Sequence, residues 1–572
     1  MLIGGTRLVF SLPAYGLLAA IGLLSLASLR RPKPAPDQLC LVSAAVFFGY
    51  VLTRALLSPV AYLARSDIYS VLGGLLVYFF AACIFTGSKQ RMFFVFFLLS
   101  LALVHVVIGV IQFRDGNNFM LIPHLHRYNY ERRASGFYVC PNHLAGLLEV
   151  LGVFGLSIGC WSRWPSWAKL TVFYIAGVCY FGLAITGSRG GYLSAVASVL
   201  VFGAISLITL RQISPKVFWR VGGLSAALAT LAIVGTVFFF QKDDFLRSRA
   251  GNTFDTQNMR IDLWKAAIEQ WKLQPVIGTG SGTYLYYGRQ FRSDRMQLDP
   301  VRAHNDYLDL LAEYGLVGAA CLLIFLAVHL RNGWKNLKRL GPQRVGISVR
   351  LLSNGMALQV AAIAAVSAYI VHSVVDFNLH IPANVLLLAF VFGILANPGN
   401  QRQGDVSTTA NTRAWLWRLL LPAIGVIAAI QCVCLLPGEY FAEQARTSLR
   451  DKHAGTAIRF ALRGLETEHN NPNLYDYLGS AQIERGDARS KPEERAWYYR
   501  RALEPFENAR RLAPLDESFA LELGYTYDAL GRFAEAEWMY NEALRLDPKS
   551  ISTKGHYEEH LERWRKAGSA PQ

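Results

Sequence analysis

Long apolar runs recur along this 572-residue chain and constrain its fold more than any other feature. A helix needs about 20 mostly apolar residues to cross a bilayer, and about twelve runs approach that length. Backbone groups in lipid must be hydrogen-bonded within the segment, so each run predicts a transmembrane helix. We therefore expect an all-α, polytopic membrane helix bundle with spans near 8–29, 40–57, 68–86, 92–112, 143–162, 168–187, 190–210, 217–240, 306–330, 352–375, 382–397 and 415–436.

The positions of basic residues predict the orientation of these helices. Lysine and arginine favour the cytoplasmic side of a bilayer. The densest basic group follows the ninth predicted span, at Arg331, Lys335, Lys338, Arg339, Arg344 and Arg350. The loops after the first, third, fifth and seventh spans are also basic and fall on the same face. Both termini and the polar loop 241–305 are then expected outside the cytoplasm.

The first apolar run has the length of a signal peptide, but its flanks argue for a span. The basic residues Arg30, Arg31 and Lys33 follow the run instead of preceding it, and no small-residue cleavage site is evident. Most of the eight cysteines sit in apolar runs, which predicts small packing residues and not a disulfide framework. The chain has no zinc-ligand spacing, and we expect no metal, no cofactor and no nucleic-acid partner.

The polar tail after Pro437 carries an internal repeat. Pro514 and Pro548 are 34 residues apart, and between them small residues and aromatics recur in an order that resembles a tetratricopeptide repeat (TPR). A longer unit over 472–514 is similar, and a looser one covers 437–472. We therefore predict a membrane domain over 1–436 and an α-helical TPR-like domain over 437–572. Such arrays bind extended peptides or partner proteins in a concave groove, so we expect an unknown protein partner.

A glycine cluster, Gly278-Thr-Gly280-Ser-Gly282, lies in the second half of the polar loop 241–305. Phosphate-binding loops are glycine-rich, but this cluster lacks the Lys-Ser/Thr of a P-loop and has no strand before it. We interpret it as a turn that feeds a surface loop.

Five clusters of polar residues lie where the hydrocarbon or its edge is expected. Ionisable groups in such places are costly to bury and mark functional sites. In the predicted topology all five clusters fall on the outer face, which predicts one common site. They cover residues 132–145, 186–191, 258–264, 302–318 and 372–384.

The fourth cluster contains a specific spacing. His304-Asn305 is followed, after nine residues, by Gly315-x-x-Gly318. This pattern resembles the motif of the O-antigen ligase superfamily, bacterial membrane enzymes that transfer glycans from a lipid carrier, and the resemblance covers roughly 40–436. It implies a GT-C-like helix bundle in the bacterial inner membrane and an undecaprenyl-pyrophosphate-linked glycan as donor. The superfamily includes O-antigen ligases, polysaccharide polymerases and protein O-oligosaccharyltransferases.

The resemblance also assigns roles to single residues. Arg189 and Arg260 match arginines that bind the donor pyrophosphate, Arg133 is similar to a further family position, and His304 matches the residue that activates the acceptor hydroxyl. The chemistry of these side chains agrees with such roles. Arginine stays charged and binds phosphate oxygens bidentately, while neutral imidazole accepts a proton near neutral pH.

Several neighbours of His304 are candidates for supporting roles. Asp306, Asp309 and Glu313, after Asn305, recur at helical spacing and share one helix face. One of these carboxylates is expected to orient His304 or to contact the acceptor. His372 and Asp376 are four residues apart, which suits either a metal or proton-relay pair or packing between two spans.

Other interpretations remain open at this stage. Arg189 could be an interfacial anchor, Arg260 a solvated charge at a helix start, and His304 a structural hydrogen-bonding residue. A transporter or flippase would also carry charges within the membrane, although transporters commonly contain internal repeats. A scaffold that acts only through its TPR-like tail would leave the gathering of arginines and histidine on one side unexplained.

Overall fold

The computed structural model contains twenty α-helices and one short β-hairpin in its described part. It describes residues 2–29, 33–120, 127, 130–213, 215–242, 247, 259–299, 301–340, 343–345, 348–350, 352–399 and 411–568. Asn258, at the start of the third polar cluster, and the basic residues Arg30 and Arg31 lie outside these ranges.

Every predicted span coincides with a helix. The helices of the membrane part are α1 Leu8–Leu24, α2 Gln38–Leu56, α3 Ala61–Phe79, α4 Ser88–Asp115, α5 Pro141–Trp161, α6 Ser166–Ile185, α7 Arg189–Ile213, α8 Pro215–Lys242, α11 Asp306–Leu340, α12 Asn354–His372, α13 Pro382–Ala396 and α14 Asn411–Arg450. Two helices, α9 Met259–Leu273 and α10 Tyr284–Phe291, belong to the polar loop. The hairpin pairs β1 Gln343–Val345 with β2 Ser348–Arg350 in antiparallel register.

Ten helices of the described residues are long and apolar enough to cross a membrane, namely α1 to α7, α11, α12 and α14. α13 is a shorter apolar helix. α3, α5 and α12 are buried along most of their length, whereas α4 and α6 expose large apolar side chains such as Phe93, Phe97, Leu170 and Tyr174. An apolar outer surface around a packed centre is typical of a membrane bundle. The chain is therefore a polytopic, all-helical membrane protein.

The helix α11 is two helices joined at a break. Gly315 has φ 66° and ψ −168°, so the segment 306–314 forms a short helix before the long span. Asn305 caps this short helix, because its side-chain oxygen accepts hydrogen bonds from the backbone N–H groups of Tyr307 at 3.0 Å and Leu308 at 3.1 Å. The break separates Asp306, Asp309 and Glu313 from the apolar span that follows.

The glycine cluster of the polar loop packs directly against this break. The N–H of Thr279 donates to the carbonyl of Ala312 at 3.0 Å, and the N–H of Gly280 donates to that of Glu313 at 2.9 Å. A Cβ atom at Gly278 would lie 2.3 Å from the carbonyl carbon of Glu313. The glycines therefore permit backbone-to-backbone contact. The segment is buried against α11 and does not feed a surface loop, contrary to the prediction from the sequence, because its backbone pairs with Ala312 and Glu313.

The tail consists of helices that pack against their neighbours in the chain. The helices after α14 are α15 Ala454–Thr467, α16 Pro472–Asp487, α17 Pro492–Leu512, α18 Glu517–Ala529, α19 Phe533–Leu546 and α20 Ile551–Lys566. Small residues allow close contact between them, because Gly479 packs on Phe506 and Gly524 on Tyr540. The helix α14 runs without interruption through the proposed domain boundary at 436/437 and contains Pro437.

Two groups of contacts dock the tail. Glu443 and Glu468 form ion pairs with Arg7 and Arg65 of the membrane part. Asp516 binds Arg289 at 2.7 Å and Asp547 binds Arg292 at 2.5 Å, both in the polar loop. The tail therefore lies on the same side of the helix bundle as the polar loop.

Candidate active site

His304 stands at the junction of the polar loop and the short helix of α11. Its backbone has φ 51°, a left-handed conformation that non-glycine residues adopt rarely and at a cost of roughly 1–3 kcal/mol. The ring Nδ1 lies 3.1 Å from Oδ1 of Asp376. The ring of Phe377 meets the imidazole edge-on at 4.7 Å between centroids. About a third of the side chain (33%) remains exposed, so the ring is held and still accessible.

Asp376 lies in the turn between α12 and α13, and its side chain is buried. Its Oδ1 also accepts the N–H of Phe377 at 2.9 Å. Burial opposes the charged form, but the hydrogen bond and charge of His304, with the charge of His372, hold the pKa of Asp376 well below its ordinary value. Asp376 is therefore a carboxylate, which can only accept a hydrogen bond.

His372 and Asp376 face different partners. The ring Nδ1 of His372 lies 3.0 Å from Glu149 of α5, and both side chains are fully buried. Ser194 of α7 donates to the same carboxylate. The two residues meet through the backbone, where the N–H of Asp376 donates to the carbonyl of His372 at 3.1 Å. The two residues therefore share one turn, but their side chains do not form a pair.

Arg133 and Arg189 lie on either side of the Thr186–Ser188 turn: Arg133 binds to it and Arg189 follows it. The Nε of Arg133 donates to the carbonyl of Thr186 at 2.8 Å, and its Nη2 donates to Oδ1 of Asn142 at 2.6 Å. Arg189 begins α7, directly after the Thr186–Ser188 turn. A Cβ atom at the next residue, Gly190, would lie 3.1 Å from the ring of His372. Four of the five predicted clusters therefore converge around His304 and Asp376.

Arg260 belongs to the remaining cluster. It lies in the first turn of α9, whose Ala267 packs with Tyr284, Ala303 and Ala312. The helix that carries Arg260 is thus packed against the segment that leads into His304.

The three carboxylates of the short helix are buried and bind other groups. Asp306 accepts from the hydroxyl of Ser373 at 2.8 Å, and Asp309 accepts from the N–H of Ala303 at 3.0 Å. Glu313 accepts from the N–H of Tyr284 at 3.0 Å. The carboxylate hydrogen-bonded to His304 is Asp376 instead.

Asp67 of α3 is a buried charge that sequence reasoning missed, and it lies beside Arg302 and His380 of the predicted clusters. Arg302 lies 3.3 Å from Glu313 and 3.7 Å from Asp67 of α3, and His380 lies 3.6 Å from Asp67. Burial opposes the charge on Arg302, but Glu313 and Asp67 raise its pKa above the ordinary value. Asp67 directly precedes the predicted span 68–86, and in the sequence it therefore resembles an exposed flank.

An apolar cavity of about 180 Å³ extends from this charged group into the bundle. It lies among α2, α3, α11, α12 and α13. Asp67, Asp306 and His380 stand at its polar end, and its apolar lining includes Phe47, Val71, Tyr78, Leu322, Phe325, Val366, Leu388 and Phe392. A cavity of this kind is suited to an apolar chain with a polar head group.

Comparison with known proteins adds one family match. Residues 170–323 match the family described as O-antigen ligase. No curated protein sequence matches the chain. Among solved structures, the crystal structure of a thermophilic TPR protein of Thermus thermophilus aligns at 21% identity over 27% of this chain and 84% of that chain, with a TM-score of 0.20.

The matched segment contains the residues on which the resemblance rests. It includes Arg189, Arg260 and His304, and it ends after Gly315 and Gly318. It runs from the first turns of α6, the helix before the Thr186–Ser188 turn, into the span after the break in α11. The match over residues 170–323 and the helical membrane architecture support the resemblance of this chain to the O-antigen ligase-like superfamily.

Proposed function

We propose that this protein is a glycosyltransferase that moves a glycan from undecaprenyl pyrophosphate to an acceptor hydroxyl. The reaction would take place on the extracytoplasmic face of the bacterial inner membrane, without a metal ion. The observation that carries the proposal is the hydrogen bond between His304 and Asp376. The turn that carries Asp376 also packs against α7 at Gly190, the residue after Arg189.

His304 is suited to act as the general base. Because Asp376 is a carboxylate, it accepts a hydrogen bond and keeps the proton of the neutral ring on Nδ1. The other nitrogen, Nε2, then carries a lone pair that can take the proton of an acceptor hydroxyl. Phe377 and the left-handed backbone fix the direction of the ring. Asp376 acts through His304 and is a positioning residue.

The arginines are suited to hold the leaving group. Arg133 is anchored by Thr186 and Asn142, and Arg189 stands at the N-terminus of α7. Helix N-termini attract anions through their free N–H groups and dipole. α5 also begins here, at Pro141. Preorganised cations and dipoles stabilise the charge that develops on a departing pyrophosphate, and Arg260 would complete this set from the loop.

The reaction can be written as one displacement. The acceptor oxygen gives its proton to Nε2 of His304 and attacks the anomeric carbon of the donor glycan. The bond between that carbon and the phosphate oxygen breaks, and undecaprenyl pyrophosphate leaves with the bonding electrons. A single displacement inverts the anomeric configuration. The apolar cavity among α2, α3, α11, α12 and α13 is suited to the isoprenoid chain of a lipid-linked substrate.

The acceptor defines the alternatives within the family. An O-antigen ligase or a polysaccharide polymerase would use a hydroxyl of another glycan, whereas a protein O-oligosaccharyltransferase would use a serine or threonine. The docking of the tail beside the polar loop favours the second candidate function, protein glycosylation, because a protein acceptor held there would lie on the side of His304. The protein partner of the tail stays a prediction.

The test is glycan transfer in reconstituted membranes. The donor is the undecaprenyl-pyrophosphate glycan of the native host, and the readout is released undecaprenyl pyrophosphate. We expect His304→Ala and Arg189→Ala to lower turnover by about 10²-fold or more. His453→Ala, an exposed histidine of the tail, serves as the matched control and keeps wild-type turnover.

Three outcomes decide among the alternatives. A ladder of products indicates a polymerase, and one product size indicates a single-transfer ligase. A glycosylated peptide as the sole product indicates a protein transferase. Full turnover by both variants contradicts the assigned site, and transport of intact donor without cleavage replaces the proposal with a flippase.

A further inference from the structure

Two tryptophans of the tail line shallow cavities at its surface. Trp538 of α19 is 63% exposed and lines a cavity of about 390 Å³. Trp497, near the start of α17, is 47% exposed and lines a cavity of about 440 Å³. Folding buries most of the surface of a tryptophan in the average protein. Large aromatic rings that stay this exposed inside cavities are typical of binding surfaces.

Each exposed ring is held by an arginine. The guanidinium carbon of Arg510 lies 4.9 Å from the ring centre of Trp538, and that of Arg501 lies 4.7 Å from Trp497. These distances are typical of cation–π contacts, which orient a ring without removing it from solvent. The rings are therefore set in place before any ligand arrives, so little side-chain entropy is lost on binding.

Polar groups of both signs surround the rings. Glu507 accepts a hydrogen bond from Tyr527 at 2.9 Å in the first cavity. Glu493, Glu494 and Arg489 line the second cavity, beside Tyr498. Arginine donates planar pairs of hydrogen bonds, and ionised glutamate accepts them. Each cavity thus combines a flat aromatic surface with fixed donors and acceptors.

This combination fits a carbohydrate. A pyranose ring has an apolar face of C–H groups, which pack on the electron-rich face of an aromatic ring. Its edge carries hydroxyls that both donate and accept hydrogen bonds. An apolar peptide would instead need a deep pocket with an apolar lining, and these cavities are shallow and polar at the rim.

The two cavities are joined along one helix. The exposed side of α17 runs from Trp497 through Arg501 and Glu504 to Arg511, a lining residue of the first cavity. Fourteen residues of α-helix span roughly 20 Å. A ligand that contacts both tryptophans must therefore be an extended chain of several sugar units and not a monosaccharide.

The same surface is left free by the docking of the tail. The tail contacts the membrane part and the polar loop through Glu443, Glu468, Asp516 and Asp547. None of these residues lines either cavity. The cavities thus belong to a tail that is fixed on the side of His304, with their aromatic rings still exposed.

We infer that this aromatic surface of the tail, formed by Trp497, Tyr498, Arg501, Arg510, Tyr527 and Trp538, binds the glycan chain that the membrane part transfers. The identity of the glycan rests on the proposed function. The binding site itself does not use His304 or the arginines beside it. It would hold an extended glycan next to the site of transfer.

Binding of free glycan to the full-length protein in lipid nanodiscs tests this inference. The probe is the glycan released by mild acid from the host undecaprenyl-pyrophosphate pool, and calorimetry gives the affinity. We expect Trp497→Ala and Trp538→Ala each to weaken binding by about tenfold. Trp497→Tyr and Trp538→Tyr should retain most of the affinity, because tyrosine also offers an aromatic face.

The matched control is Trp167→Ala. Trp167 is comparably exposed and lies at the N-terminal end of α6, whereas the Thr186–Ser188 turn follows the other end of that helix. Its affinity should equal that of the wild type. Unchanged thermal unfolding of the tail verifies that each variant is folded. No binding by the wild type, or equal affinity in all variants, overturns the inference.

A catalytic variant separates this inference from the proposed function. His304→Ala should bind the glycan with wild-type affinity although it transfers none. If the wild type fails to transfer glycan but binds it through the two tryptophans, the proposed function fails and the binding surface stands. If transfer proceeds and the two tryptophans do not affect glycan affinity, the inference alone fails.

Discussion

The imidazole of His304 is fixed by three features of its surroundings. Its backbone is left-handed, Phe377 packs against the ring, and Asp376 accepts a hydrogen bond from Nδ1. A base that is oriented in this way loses no rotational freedom as the reaction proceeds. The orienting carboxylate is buried, and the hydrogen bond and charge of His304 hold its pKa below the ordinary value, which favours its charged form.

Replacement of Asp376 by asparagine tests this arrangement. An amide can donate to Nδ1 and thereby stabilise the wrong tautomer of His304. We expect kcat to fall by about 10²- to 10⁴-fold, with little change in KM, in the transfer assay. Asp451→Asn, at an exposed position, is the control. Wild-type kcat in the Asp376 variant would show that His304 does not depend on this carboxylate.

Gly190 fixes the distance between α7 and the turn that carries Asp376. A Cβ atom there would lie 2.6 Å from Val375 and 3.1 Å from His372, whereas one at Gly177 of α6 has open space. Gly190→Ala should displace Arg189 and destabilise the protein by about 1–3 kcal/mol. Gly177→Ala should be neutral or stabilising. Thermal unfolding and transfer rate measure both, and equal behaviour of the two variants would refute the close approach.

Among single residues, the motif resemblance singled out His304, Arg133 and Arg189, and their roles stay predictions. It could not identify the partner of His304. Asp376 lies 72 residues further along the chain, and helical periodicity relates only residues within a few turns of each other. Sequence reasoning could have identified Glu149, because a carboxylate inside a predicted span, here 143–162, is a functional candidate.

The positions of the helices followed from hydropathy, but the break in α11 did not. The apolar run predicted one span from 306, and a helix end with no proline is poorly marked in sequence. Gly315 provides the break because its φ of 66° is strained for other residues and its backbone touches the loop. Gly315 of the motif is thus suited to the backbone conformation at the break, which the pattern of apolar residues does not reveal.

The ion pair between Arg292 and Asp547 joins two distant elements, the polar loop and the tail. Both side chains are only 3% exposed. Removing one partner leaves a buried charge without its counterion, so Arg292→Ala should cost about 3–5 kcal/mol of docking energy. Limited proteolysis between loop and tail measures this loss.

The matched control for that pair is Arg545→Ala. Arg545 pairs with Glu542 on the surface of α19, with 61% of its side chain exposed. Exposed pairs contribute about 0–1 kcal/mol, so protease resistance should be unchanged. A replacement of both Arg292 and Asp547 by apolar residues should restore part of the docking. Equal protease sensitivity of Arg292→Ala, Arg545→Ala and the double variant would contradict the prediction that the pair of Arg292 and Asp547 holds the tail on the loop.

The stability of the tail should depend on pH. Asp476 of α16 faces Glu522 and Asp516, and burial together with these two charges raises its pKa to about 7. In the unfolded chain its pKa is about 3.9. Between these values the folded tail holds a proton that the unfolded chain releases, so stability falls as pH rises from about 4 to 7.

Thermal unfolding of the tail between pH 5 and pH 8 tests this dependence. The Tm of the wild type should fall across the range, and Asp476→Asn should flatten the fall and raise Tm at pH 8. Some slope should remain, because burial also raises the pKa values of Glu517 and Glu522. A wild-type Tm that rises with pH would contradict the prediction.

For the molecule as a whole, the sequence predicted a helical membrane part and a helical tail, because length and periodicity of apolar residues are local signals. It did not predict that the tail docks on the polar loop. Arg289 and Arg292 are unremarkable charges in a basic loop, and their partners Asp516 and Asp547 resemble ordinary helix-end residues. Only the folded chain brings these four side chains together.

The ion pairs of Arg289 with Asp516 and of Arg292 with Asp547 can form only late in biosynthesis. Arg289 and Arg292 leave the ribosome 227 and 255 residues before the aspartates that bind them. At ordinary elongation rates this gap lasts on the order of tens of seconds. The polar loop that leads into His304 therefore lacks its contacts with Asp516 and Asp547 until the last helices of the chain have been made. A protein truncated before α18 should insert into the membrane and keep the backbone contacts between the loop and α11, but the loop would lack the ion pair between Arg292 and Asp547.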